Sequence, residues 1–97
     1  MKHWALLYDF VPDFMEKRVP LRPAHLELMR QYAERGELVL AGVLKGEASS
    51  LLVFKAEDAA LIEDFVRQDS FFTGGLVTNY RVREWVTVIG EDALNLP

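Results

Sequence analysis

Apolar and polar positions change period from block to block along the chain. In residues 21–35 they recur at helical spacing: His25, Leu28, Met29 and Tyr32 fall at i, i+3, i+4 and i+7 and share one face. Glu27, Arg30, Gln31 and Glu34 take the other face, where Glu27 with Arg30 and Arg30 with Glu34 are spaced for weak surface pairs. Pro20 or Pro23 suits the first turn, and Gly36 suits the position after the last. A second helix is predicted over 57–68, with Ile62, Phe65 and Val66 inward and Leu61 flanking. Glu57 and Asp58 would lie in its first turn and Arg67 in its last, matching the helix dipole.

Residues 3–8, 37–44, 50–55 and 76–88 read as strands. Lys45-Gly46-Glu47 turns the middle two into a hairpin. Residues 9–19, with Pro12, show no clean period and read as a loop holding at most a short helical turn. Residues 69–75, with Phe71, Phe72 and the Gly74-Gly75 pair, read as another loop, and 90–97 as a loosely held tail. No internal repeat or linker interrupts this order, which is that of one domain over 1–97. The succession β-α-β-β-α-β predicts an α+β, ferredoxin-like sandwich with both helices on one face of a four-stranded antiparallel sheet.

Two helices cover one face only. Yet Trp4, Leu6 and Tyr8 alternate with Ala5 and Leu7, and Leu52 and Phe54 with Leu51 and Val53, so the strands are apolar on both sides. A sheet with one wet face alternates apolar and polar instead. Leaving such side chains wet costs about 1.5–3 kcal/mol each. The expectation is a homodimer packed sheet against sheet, a dimeric α+β barrel, with further assembly left open.

Composition narrows the functional classes. Of the 97 residues, 51% are hydrophobic and 11% aromatic, generous for a chain whose own core is small. A net charge of −4 and no basic run argue against nucleic acid as a partner. The absence of cysteine removes disulfides and thiol chemistry. No apolar stretch approaches the ~20 residues of a membrane span, and the start lacks a secretory hydrophobic core, so a cytoplasmic protein with no membrane partner is expected.

The topology gathers candidate chemistry at one rim. With the C-terminal end of the first strand as the top, the first turn of the first long helix and the last turn of the second also lie there. His25 is in that first turn. Asp69 continues the inner stripe of the second helix, seven residues after Ile62 and four after Phe65, and Tyr8 and Asp9 end the first strand. A carboxylate on one ring nitrogen of a histidine fixes its tautomer and frees the other to move a proton near neutral pH. Arg22, three residues before His25, is placed to bind a substrate anion.

The chain also resembles the YCII-related (YciI-like) domain family over nearly its whole length. Arg22-Pro23-Ala24-His25-Leu26 is similar to that family's Arg-x-x-His-Leu. Gly36-Glu37-Leu38-Val39-Leu40-Ala41-Gly42-Val43-Leu44 is similar to its Gly-x-Leu-x-x-Ala-Gly-Pro-Leu strand. Asp69-Ser70-Phe71, followed by Gly75-Leu76-Val77, is similar to its Asp-Pro-Phe/Tyr loop. The resemblance implies a dimeric α+β barrel with a His–Asp pair, here His25 and Asp69. The family is similar in fold to muconolactone isomerases and includes a dehydrochlorinase of a chlorinated hydroxyhydroquinone. Two positions depart from its pattern. Val43 replaces a proline at a strand end, and Ser70 replaces the loop proline, which predicts a less rigid loop at Asp69.

These readings combine into one expectation: a cofactor-independent acid–base enzyme, an isomerase, lyase or dehydrochlorinase. It would act on a small anionic ligand, aromatic or lactone. His25 and Asp69 would be catalytic, and Arg22, Tyr8, Ser70 and Phe71 would bind substrate. The alternative is a non-catalytic dimeric module that binds a small ligand or a protein through the same rim. His3 has no evident partner and reads as a surface or interface residue, and Trp4 and Trp85 as core or interface anchors. Ser49 and Ser50 have no assigned base. Two histidines 22 positions apart, without cysteine, do not make a metal site.

Overall fold

A computed structural model describes residues 1–97. The strands are β1 (Lys2–Phe10), β2 (Leu38–Val43), β3 (Ser49–Ala56) and β4 (Val77–Trp85). They form one sheet in the order β2-β3-β1-β4, every neighbouring pair antiparallel. The longer helices are α2 (Arg22–Glu34) and α3 (Ala60–Gln68); single-turn helices α1 (Phe14–Lys17) and α4 (Ser70–Thr73) precede and follow them. Without the two short helices the order is βαββαβ, and the fold is ferredoxin-like α+β.

Strand alternation explains which face the helices cover. Leu6, Tyr8 and Phe10 of β1 point one way, and the register sets Leu6 opposite Leu52 and Trp4 opposite Phe54. Tyr32 from α2 and Ile62, Phe65 and Val66 from α3 close over them in one apolar cluster. Burial of each large side chain there contributes about 1.5–3 kcal/mol. The stripe of α2 is as its spacing predicts: His25 and Tyr32 are buried, Leu28 and Met29 half-buried.

Several boundaries differ from expectation for physical reasons. Asp58 Oδ1 accepts from the Ala60 N–H at 3.0 Å, a turn that keeps Glu57 and Asp58 outside α3. β4 ends at Trp85 rather than Val88 because β1 is its partner and the last β1–β4 pair is His3 with Trp85. Residues 9–19 contain α1, and the 69–75 segment winds into α4 instead of remaining a loop.

The rear face also departs from the expected pattern. It is apolar over β2, β3 and β1, where Leu40 pairs with Val53 and Leu51 with Leu7. On β4, however, the register puts Arg81 opposite Leu7 and Arg83 opposite Ala5, so that edge carries charge. Part of the apolar area is covered by the chain's own end, which is not the loose tail expected. Thr87 Oγ1 lies 2.7 Å from His3 Nδ1 and accepts from the Leu94 N–H, while Asn95 donates to the Thr87 carbonyl from both backbone and side chain. His3 thus has a partner and is buried. Ile89 and Ala93 face His3, Val53 and Trp85 across a recess of about 280 Å³. Leu40 stays 74% exposed and Trp85 50% exposed, so apolar surface remains uncovered. No helix is long and apolar enough to cross a membrane.

Candidate active site

The top of the sheet holds a buried polar cluster centred on Asp69. Asp69 follows α3 and caps α4: its backbone is extended, and its Oδ1 accepts from the Phe71 N–H at 3.1 Å. The same oxygen lies 2.6 Å from His25 Nδ1, and Oδ2 accepts from the Tyr8 hydroxyl at 2.8 Å. Asp69 is fully buried and His25 is 7% exposed. Three donors on one carboxylate suit its ionised form, which only accepts. Burial, and next the neighbouring Asp69 charge, push the Tyr8 phenol far above its ordinary range, so Tyr8 stays an O–H donor.

Contacts to Asp69 and Phe71 fix the imidazole in place. Its plane stacks on Phe71, with centroids 3.7 Å apart and 8° between planes, and Nδ1 is held by Asp69. No buried polar side-chain atom lacks a partner, so Nε2, which bonds nothing in the chain, is accessible. The ring lines a cavity of about 180 Å³ together with Phe10, Phe14, Phe71, Arg18 and Arg22. Phe14 stacks on Phe10 with centroids 3.8 Å apart and meets Phe71 edge-on at 5.5 Å, giving the cavity an aromatic side.

Not every predicted binding residue faces this cavity. His25, Phe71 and Arg22 line it. Tyr8 does not: its side chain is fully buried and its hydroxyl is committed to Asp69, so it positions the carboxylate instead of meeting a ligand. Ser70 is committed too. Its hydroxyl donates to the Leu21 carbonyl at 2.7 Å, tying α4 to the start of α2. That bond ties down the segment that the missing proline predicts to be less rigid. Gly74 completes the joint, since a Cβ there would meet Leu21 Cδ1 at 2.5 Å and the Ser70 carbonyl oxygen at 2.6 Å. Asp9 is exposed and is 3.5 Å from the Asn79 amide, and it does not line the cavity.

Sequence reasoning missed Phe14 and Arg18. Both belong to the 9–19 segment, whose four-residue helix is too short to show a period. The available signal was the four-residue spacing from Arg18 to Arg22 and from Phe14 to Arg18. No cluster of three or more His, Cys, Asp or Glu side chains is placed to hold a metal ion.

A family model, the YCII-related domain, matches residues 1–86. No curated protein sequence matches the chain. Among solved structures, the chain is similar to the 5-chloro-2-hydroxyhydroquinone dehydrochlorinase of Burkholderia phenoliruptrix, determined in complex with 2,5-dihydroxybenzoquinone. The TM-score is 0.78 at 20% identity, over 89% of this chain and 95% of that one. A protein of Agrobacterium tumefaciens gives 0.66 at 8% identity over 97% and 100%. An antibiotic biosynthesis monooxygenase gives 0.59 at 13% identity over 92% and 100%. At these identities the likeness is one of fold.

Proposed function

The chain belongs to the YCII-related domain family, and on that premise we propose that it is a cofactor-independent acid–base enzyme acting on a small anionic ring or lactone. The observation that supports this reading is the 2.6 Å contact of His25 Nδ1 with the buried Asp69, on a ring that also lines a cavity. With Nδ1–H donating to Asp69, Nε2 is the base. It takes a proton from a carbon next to a carbonyl, and the C–H electrons pass into an enolate. Return of the proton to another carbon completes an isomerisation; departure of a leaving group with its electron pair completes an elimination. Likeness to a dehydrochlorinase favours the elimination branch. Asp69 offsets the charge that develops on the ring, and its three donors hold it in place before the proton moves.

Proton abstraction is detectable without knowing the final product. The protein is incubated in deuterated water with a panel of butenolides and chlorinated hydroquinones, and carbon-bound deuterium and free chloride are measured. At least one compound should exchange or lose chloride, and His25→Gln should slow this by about 10²–10⁴-fold. Equal rates for the two proteins, or no reaction across the panel, would leave the binding-module alternative in its place.

The reading includes a second copy on the rear sheet, supported by the exposed Leu40 and Trp85 beside half-buried Leu7 and Leu51. Sedimentation equilibrium at micromolar concentration should return twice the 11.1 kDa chain mass. A value of 11.1 kDa would mean that the tail suffices as cover.

A further inference from the structure

The cavity has a charge opposite to that of the chain as a whole. The sequence holds 15 acidic and 11 basic side chains, yet the cavity wall contains Arg18, Arg22 and His25 and no carboxylate. Ion pairs elsewhere engage Lys17, Arg30, Arg35 and Arg67, but neither Arg18 nor Arg22. The two free guanidinium groups are neighbours by construction. The Arg22 N–H donates to the Arg18 carbonyl at 2.8 Å, so the junction of α1 and α2 is one continuous helical turn. Side chains four residues apart on such a turn lie on the same side.

Arg18 is also held in position. Its guanidinium lies over the Phe14 ring, 5.4 Å from the centroid. Phe14 meets Phe71 edge-on, and Phe71 stacks on His25. One aromatic chain therefore runs from the Arg18 cation to the imidazole. An apolar cavity of about 150 Å³ is enough for benzene, so a space of about 180 Å³ admits one ring with small substituents. Guanidinium groups match planar, two-oxygen anions better than point charges.

We propose that Arg18 and Arg22 together grip the carboxylate of a single-ring substrate acid, leaving its ring on the phenylalanine side with a carbon toward His25 Nε2. The proposal rests on reading this cavity as the substrate site. It makes Arg18 a substrate-binding residue and selects ring carboxylates over neutral ring compounds. A thiol or amine function is not required of the ligand; a flat anion on a small ring is.

The test uses the intact protein and two probes alike in shape, gentisate and gentisamide, with affinities measured by calorimetry. Gentisate should bind at least tenfold more tightly than the amide. Arg18→Gln and Arg22→Gln should each weaken gentisate by about 10- to 100-fold and leave the amide nearly unchanged. Arg30→Gln, on the outer face beside Glu27, should behave as wild type. Thermal melts identify any variant that fails to fold; Arg18→Lys, which keeps the charge, then replaces it and should retain part of the preference. Equal binding of the two probes, no binding of either below millimolar concentration, or an Arg18→Gln effect of equal size on both would overturn the proposal. His25→Gln should keep the preference for gentisate. Deuterium exchange as fast in His25→Gln as in the wild type, with the preference intact in both, would thus strike the acid–base reading alone.

Discussion

Asp69→Ala should lower the free energy of unfolding by about 2–6 kcal/mol, the cost of leaving two buried donors without an acceptor. Three donors lose their acceptor: the Tyr8 hydroxyl, the Phe71 N–H and His25 Nδ1–H. The imidazole has a remedy, since it can move its proton to Nε2, but the phenol and the peptide group do not. Each costs about 1–3 kcal/mol when buried without a partner. The loss is a large fraction of the roughly 5–15 kcal/mol available to a small domain. Asp69→Asn should be milder, at about 1–2 kcal/mol. Its carbonyl oxygen still serves His25 and Phe71, and its amide can donate to the Tyr8 oxygen. Urea titration at fixed protein concentration measures both. An alanine variant within about 1 kcal/mol of wild type would show that water reaches these donors and that the cluster is not dry.

Phe65→Ala should cost a similar amount, about 3–5 kcal/mol, by leaving a cavity under α3. Phe65 is fully buried, and its ring meets Tyr32 and Phe54, each at a centroid distance of 5.1 Å. With a slope of about 1–3 kcal/mol per molar urea, the unfolding midpoint falls by roughly 2 M. The effect reaches the site because Asp69 is one helical turn further along the same chain. The variant should therefore bind gentisate more weakly even where it remains folded. Phe65→Leu, which keeps most of the volume, should recover well over half of the stability. If the leucine variant were as unstable as the alanine variant, specific ring contacts rather than filled space would hold α3.

What could be read beforehand follows from which signals repeat. Thirteen residues of α2 show the helical period clearly, so His25 and Tyr32 could be set on one face. Alternation in β1 likewise set Leu6 and Tyr8 together. Once those faces and the strand order were known, Asp69 had to approach His25, because both lie at one end of their helices. Depth was not legible. Alternation says which side Tyr8 faces, but not that its side chain is fully buried with the hydroxyl committed to Asp69, outside the cavity that Phe10, Phe14 and Phe71 line. Nor do α1 and α4 repeat at all; each is a four-residue turn fixed by tertiary contact, α1 by the stacking of Phe14 on Phe10 and α4 by Asp69 itself. The tail was misjudged for the same reason, since Thr87 acquires its role only when His3 is beside it.

Tyr8 joins two scales of organisation. It stands in β1 opposite both Ser50 and Tyr80, and its side chain ends on Asp69. A slip of β1 by a single residue against its neighbours would turn that phenol to the far side of the sheet and present Leu7 or Asp9 to the carboxylate. The alignment of β1 in its one frame is therefore a condition for the Tyr8–Asp69–His25 contacts to exist.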